Sequence, residues 1–535
     1  MLKIKFIGAI QGVTGSCSWL WHTGSDTQFL VDCGIFQGGP HHVDWSNRKP
    51  FPFHPSEIQY VLLTHAHLDH CGLIPKLVAE GFKGWVYCTQ ATRDVAKELL
   101  ADAARISGLY SQDDVDSIHW HTIDDGQFSW GRKLTLGDDL IATFNRGSHV
   151  LGGCSISVSW AKSTGDKPED FASIHFSGDL GCQTDENPYL PLLKPDHSPY
   201  PNAEYIVTEA TYGDRLRESK CWKTRTSLLS DTILRTVTEK GGKVLIPTFA
   251  FHRMQELIAD IRTVVGNDEN NFRRRLAVGK QLTILCHSPL SNRLNGVYGE
   301  QLVKVLGNGK YQYLNKELAD RARWSASEIA ALYTSLNRGR TVSYGPIKIS
   351  SVGPRKGKAA ESFRQHLEKC DVILASSGMC DQGPSSEYLQ LLRDDPRNTI
   401  ILTGFQSKSS AGRALLESSE QGAEVVDLSS HYSGHGDQQK LLDNIFELGG
   451  YKGREEGTTV FINHGEPGSK ETFRAKIMER NREGRPGQRK ITKALIANQD
   501  WFDLDAGDYA QDTESLTKQE LQEEIERLQK LLQTA

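Results

Sequence analysis

The apolar stretch YVLLT at 60–64 runs straight into His65-Ala66-His67-Leu68-Asp69-His70, so three histidines and an aspartate fall within six residues. Such residues suit neither a strand interior nor a helix core, yet they follow a segment apolar enough to be a buried strand. Any fold open to this chain must therefore bring that strand's end to a rim where imidazoles and a carboxylate can be used. His65 and His67 alternate, and on extended chain they point to one side. Asp69 and His70 stand at the following turn, within reach of a second position beside the first. Neutral imidazole and carboxylate suit Zn²⁺, and no cysteine is spaced to join them. A polar surface loop with one capping aspartate is the plain alternative, but capping needs one such residue and not four.

A chain of 535 residues exceeds one ordinary core, so two or more domains are expected. The net charge of -5 carries no global basic signal, and a polyanion site would have to be a local patch or a metal centre. The ten cysteines stand singly with no C-x-x-C pair, the pattern of reduced thiols in a cytoplasmic protein. Lys3 and Lys5 before FIGAI imitate a signal peptide, but Gln11, Gly12, Thr14 and Gly15 break the apolar run at once. No run of about 18 apolar residues exists, so no membrane helix is expected and the chain reads as soluble and cytoplasmic.

KIKFIGAI, SCSWLWHT and TQFLVDCG read as short strands joined by glycine turns. DHCGLIPKLVAEG reads as a helix, and GWVYCTQ then TRDVAKELLADAARI repeat the strand-then-helix order. Strands return over 131–180 and in AEYIVTEATYGD. KVLIPTFA, LTILCH, DVILASSGM and NTIILTGFQ then alternate with long helical patterns, the texture of a parallel α/β layer. Short-strand texture resumes near 425 in AEVVDLSS and again in TTVFINHG. The reading is a first domain over 1–211, an inserted parallel-sheet domain over 212–424, and a return to the first over 425–500. From 503 to 535 an acidic linker and a short helix are expected. Leu521, Ile525, Leu528 and Leu532 there form a two-heptad coiled-coil seam that would support a homodimer.

One short run cannot fill two metal shells, so further ligands should arrive from elsewhere. His149 in GSHVLGG, Asp179 in SGDLG and His464 in NHGE each end a predicted strand beside a glycine, where backbones approach closely. THAHLDH with GSH, SGD and NHGE resembles the metallo-β-lactamase fold. TEATYGD, PTFAFHRMQELI, ASSGM, GFQSKSSAGR and SGHGD resemble its β-CASP nuclease branch, over residues 1 to about 480. Within that branch the chain is most similar to prokaryotic ribonucleases related to the endonuclease subunit of the cleavage and polyadenylation factor.

The resemblance implies an α/β fold, an αββα sandwich with an inserted parallel-sheet β-CASP domain, followed here by a helical tail. It implies two zinc ions per chain, one on His65, His67 and His149, the other on Asp69, His70 and His464, bridged by Asp179. Asp32 in VDCGIFQG would orient the ligand loop from behind. Glu209 and His435 match an acidic residue and a histidine close to the scissile phosphate. His252, where the branch commonly has glycine or a small residue, is expected to alter helix packing. Asp381 and Gln382, where neutral residues are usual, are expected to weaken or redirect substrate contact.

Two zincs about 3.5–4 Å apart would hold a hydroxide for in-line attack on phosphorus, with Asp69, Glu209 and His435 as the catalytic set. His435, oriented by Glu209, would protonate the leaving 3′-oxygen, giving 5′-phosphate and 3′-hydroxyl ends. The substrate implied is single-stranded RNA, with single-stranded DNA an alternative. The histidine at 464, a position usually aliphatic in the DNA nucleases, favours RNA. A thioester or lactam hydrolase of the same fold would explain the ligands but not the insert, Glu209 or His435. A catalytically dead scaffold would be expected to have lost ligands. Ser377 and Gly378 could meet a phosphate or merely turn the chain. Lys408 and Arg413 could line the cleft, and the basic runs 273–275 and 355–358 could guide a strand.

Overall fold

The computed structural model describes residues 1–510 except 39–41, 125–127, 138, 162–170, 183–189, 191, 197–202, 218–221, 267, 269–270, 277–279, 353–358, 419–421 and 448–456. The heptad seam at 521–532 and the basic run at 355–358 lie outside the described residues.

Two sheets make the first domain. One runs Asp508–Tyr509, Phe502–Asp503, Leu2–Phe6, Ser18–His22, Thr27–Val31, Ile58–Leu62, Trp85–Cys88, Trp120–Thr122 in spatial order. The other runs Ile491–Ile496, Thr458–Ile462, Tyr205–Thr208, Phe171–Phe176, Cys154–Ala161, Leu140–Arg146, Lys133–Gly137. Alternating burial in Leu2–Phe6 and Leu140–Arg146 puts every second side chain between the sheets. There Leu2, Ile4, Phe29 and Leu62 meet Phe144, Val158, Trp160 and Ile174 in one core. Helices cover both outer faces. Ile74, Leu77, Val95 and Leu99 pack against Leu30 and Val61 on one side, and Leu441, Ile445, Phe473 and Ile477 against Ile206 and Val460 on the other. The result is the αββα layering.

The third sheet orders Val342–Tyr344, Ile347–Ser351, Leu282–His287, Val372–Ala375, Val244–Pro247, Thr399–Leu402, Glu424–Asp427. All its pairings are parallel except Val342–Tyr344 against Ile347–Ser351. Its central strands are buried on both faces, which explains their unbroken apolar runs. It is an insertion, because Tyr205–Thr208 before it and Thr458–Ile462 after it are parallel neighbours in one sheet, Tyr205 opposite Thr459.

Three sequence expectations need correction. Glu424–Asp427, read as the start of the return segment, pairs with Thr399–Leu402 as the edge of the inserted sheet, because Val425 and Val426 fit either sheet by composition. The segment from 503, read as linker, begins instead with a hairpin whose Phe502–Asp503 pairs with Leu2–Phe6. Buried Trp160 anchors it by donating from Nε1 to Asp505 Oδ1 at 2.9 Å. The single helix expected in DHCGLIPKLVAEG is two, Leu68–Cys71 and Ile74–Ala79, because Pro75 restarts the helix at its first turn. No helix among the described residues is long and apolar enough to cross a membrane.

Candidate metal centre

Strand ends of the two sandwich sheets meet at one rim, and the ligand-type side chains sit on the turns beyond them. His65 and His67 follow Ile58–Leu62, Asp69 and His70 lie in Leu68–Cys71, and His149 follows Leu140–Arg146. Asp179 follows Phe171–Phe176 and His464 follows Thr458–Ile462. Close approach of backbone makes this possible. A Cβ on Gly34 would lie 1.6 Å from the Asp69 carbonyl oxygen, and one on Gly181 would lie 2.1 Å from Ser148 Oγ, beside His149. Asp32 and His464 themselves hold left-handed backbone, φ 61° and 44°, a local strain the surrounding hydrogen bonds sustain.

Two clusters result. Ligand atoms of His65, His67, His149 and Asp179 lie within 4.8 Å of one another, as do those of Asp69, His70, Asp179 and His464. In the first, His67 Nδ1 stands 3.1 Å from both His65 Nε2 and His149 Nε2. Asp179 Oδ2 is 3.6 Å from each of those Nε2 atoms. In the second, His70 Nε2 stands 3.2 Å from His464 Nε2, and Asp69 Oδ2 is 3.5 Å from the same His464 atom. Asp179 Oδ1 lies 3.3 Å from His70 Nε2. One carboxylate thus faces one cluster with each oxygen.

Groups behind the ligands fix which nitrogen is turned inward. Asp32 Oδ2 is 2.7 Å from His70 Nδ1, which commits that N–H and leaves Nε2 for the site. Thr64 Oγ1 is 3.0 Å from Asp32 and 3.1 Å from His65 Nδ1, so one carboxylate orients both histidines, one directly and one by relay. His149 Nδ1 donates to the Gly434 carbonyl at 2.9 Å. Inward-facing nitrogens and carboxylate oxygens at such spacing, with the outer nitrogens of His65, His70 and His149 engaged, are the donor set of a divalent cation.

Charge and burial agree. Burial is the main cause that pushes His67 down to about 3, His149 down to about 4 and His65 well below the usual imidazole value. These three are neutral imidazoles at neutral pH. Burial also opposes a charged His70, but Asp179 and Asp32 outweigh it and hold its pKa well above the usual value. Burial would raise the Asp69 carboxyl, yet the hydrogen bond from His464 and the nearby histidines bring it to about 2.

Beside the clusters, His435 Nδ1 lies 3.1 and 3.2 Å from the two Glu209 oxygens, and Nε2 is 3.9 Å from Asp179 Oδ2. Glu209 is fixed in turn by the Leu180 N–H at 2.6 Å. Burial disfavours the His435 cation, but Glu209 and then Asp179 raise its pKa to about 10. Asp179, Glu209 and His435 also fall within 4.8 Å as a third acidic-histidine group. The Glu209 oxygens there are taken up by Leu180 and His435, which suits a proton-holding pair.

The structure therefore brings together all seven ligand candidates with Asp32, Glu209 and His435. Among the described residues, no hydrogen bond or ion pair joins Ser377, Gly378, Lys408 or Arg413 to them. Ser377 and Gly378 lie in the turn after Val372–Ala375, where Ser377 O accepts from Ser385 Oγ and Gly378 O from Gln406 Nε2. Arg413 pairs with Glu417 at 2.6 Å, and Lys408 is exposed. Exposed Asp381 accepts from the Ala411 N–H at 2.7 Å, at the start of a helix. His252 stands at φ 65°, which explains why glycine is at home there, and its Nδ1 lies 2.5 Å from buried Tyr298 OH. In the basic run at 273–275, Arg275 is neutralised by Asp231 and Glu239. Three contributors escaped sequence reading. Thr64 and the Gly434 carbonyl act through hydrogen bonds, and Phe251 of the insert packs its ring 5.2 Å from that of His67. Only Thr64 left a signal, its place immediately before the cluster.

Comparison with known proteins agrees with the layering and the insert. Residues 11–197 match the metallo-beta-lactamase superfamily and residues 254–415 the Beta-Casp domain. Ribonuclease TTHA0252 of Thermus thermophilus is 30% identical over 453 residues, covering 83% of this chain and 90% of its own length. Transcription termination factor FttA of Methanocaldococcus jannaschii is 28% identical over 496 residues, 87% of this chain and 67% of its own length. An RNase J-like protein from the same archaeon is 27% identical over 464 residues, 84% and 90% respectively.

Proposed function

The chain belongs to the metallo-β-lactamase superfamily, with a Beta-Casp domain inserted, and on that premise we propose that it is a zinc-dependent ribonuclease that hydrolyses phosphodiester bonds of single-stranded RNA. The observation that carries the reading is Asp179, one carboxylate with an oxygen toward each ligand cluster, beside the Glu209–His435 pair. His65, His67 and His149 with Asp179 Oδ2 would hold one ion, and Asp69, His70 and His464 with Oδ1 the other. When bound, two such ions supply a nucleophilic water at neutral pH and offset charge on the phosphate oxygens.

The protein's own groups do the rest. Asp32 and Thr64 engage the outer nitrogens of His70 and His65, which turns the inward ones toward the ions. Glu209 accepts the His435 Nδ1–H, so the proton on Nε2 points into the space beside Asp179. That proton is held through neutral pH because Glu209 and Asp179 raise the ring's pKa to about 10. From there it can pass to the leaving 3′-oxygen, which would give a 3′-hydroxyl end on the upstream product and leave the phosphate on the 5′ end of the downstream one.

Purified protein with labelled RNA tests the reading. His435→Ala should keep its full metal content and lose cleavage by about 10²–10⁴-fold, the span of a lost general acid. Undiminished cleavage by that variant would remove His435 from the chemistry. A wild-type protein that binds metal and hydrolyses a small thioester but no RNA would favour the fold's non-nuclease activities.

A further inference from the structure

The inserted sheet delivers strand ends to the same rim, and two large apolar side chains stand exposed there. Val244–Pro247 leads into Thr248-Phe249-Ala250-Phe251, and Thr399–Leu402 into Thr403-Gly404-Phe405. Phe251 turns inward onto His67, which places this turn at the metal centre. Phe249, two residues earlier, is 38% exposed, and Phe405 is 66% exposed. The Phe249 ring lies over two glycines: a Cβ on Gly404 would come within 2.6 Å of it and one on Gly378 within 3.1 Å.

The loop that presents Phe405 is held on both sides. Arg253 donates to the Thr403 carbonyl at 2.8 Å, and buried Gln406 donates to the Gly378 and Gly404 carbonyls at 3.0 and 2.9 Å. Keeping a phenylalanine in water forgoes the stabilisation its burial would bring, and here a tied loop enforces that exposure. Lys408, three residues on, is exposed, and among the described residues it has no ion-pair partner.

We propose that Phe405 and Phe249 are stacking platforms for unpaired bases of the RNA, taken up beside the scissile phosphate, with Lys408 available to the backbone. The proposal rests on the ribonuclease reading and deepens it, since it assigns the choice of single-stranded over duplex substrate. Phe251 on the same turn packs against His67, so a strand bound at the metal centre lies beside this rim. An unpaired base offers an open ring face to an aromatic side chain whatever its identity, whereas paired bases are already stacked on their neighbours. A protein docked on the same phenylalanines would block the mouth of the site.

The test uses the full chain, metal-loaded, with single-stranded RNA, the same RNA carrying one abasic nucleotide moved along its length, and a duplex of the same sequence. For the wild type, one or two abasic positions should lower kcat/KM by about tenfold, mostly through KM. Phe405→Ala should show that loss on intact RNA and no further loss at one of those positions, while Phe405→Trp restores wild-type behaviour. An abasic penalty that persists in full in Phe405→Ala, or wild-type cleavage indifferent to every abasic position, overturns the stacking role alone. A metal-loaded wild type that cleaves no RNA overturns the ribonuclease reading and this proposal with it.

Discussion

The two ligand clusters share Asp179 but are built on opposite electrostatic plans. Around His67 three imidazoles gather with one carboxylate oxygen, and burial keeps them neutral, His67 at about 3 and His149 at about 4. Around His70 two carboxylates gather with two imidazoles, and a third, Asp32, stands directly behind. There negative charge outweighs burial and His70 holds its proton. The first cluster is prepared for a cation by refusing protons, the second by concentrating negative charge that a proton can also exploit. The largest test of the pairing removes what both share. Asp179→Asn should reduce metal content at both clusters together and bring RNA cleavage to background, measured by elemental analysis beside a cleavage assay. Loss of metal from only one cluster would mean that they do not depend on a common carboxylate.

The plans should also separate under acid. A raised pKa means that a proton must leave His70 Nε2 before a cation can bind, so affinity at the second cluster falls steadily as pH drops below neutral. His67 and His149, with lowered values, stay unprotonated until pH approaches about 4, and the first cluster should hold its ion down to roughly pH 5. Titrating loaded protein downward while following bound metal should therefore show two steps. Asp69→Asn should erase the step nearer neutral pH and leave the lower one in place. A single step in the wild type would contradict the contrast.

How much of this was legible in the sequence follows the same divide. Each ligand ends an apolar strand next to glycine, so strand texture and residue chemistry together pointed to His149, Asp179 and His464 although they lie far from the first cluster in sequence. The insert was legible because its strands are apolar on both faces, unlike the alternating strands around it. Its last strand was not, since Glu424–Asp427 is a half-buried edge whose composition suits either sheet. Contacts made by backbone carbonyls, such as Gly434 on His149, leave no mark on residue type. Nor does a side chain's orientation: nothing in the residue types shows that Asp381 receives a helix N–H.

Smaller effects should follow from the support behind the ligands, where Asp32 serves the two clusters unequally. It holds His70 directly at 2.7 Å but reaches His65 only through the Thr64 hydroxyl, at 3.0 and 3.1 Å. Asp32→Asn should thus weaken the second cluster most, by about 10–100-fold in metal affinity or activity, the usual range for a lost outer partner. Thr64→Val keeps the shape of the side chain and the Thr64 N–H bond to Asp32 at 2.8 Å, so the His70 side is left in place. It takes from His65 Nδ1–H a buried acceptor, which should destabilise the fold by about 1–3 kcal/mol and loosen only the first cluster. Thermal melts of apo and metal-loaded protein would read this, with the loaded form losing more because the ring must be ordered to bind. An equal fall in affinity at both clusters in Thr64→Val would show that Thr64 supports the rim as a whole and does not relay one carboxylate to one histidine.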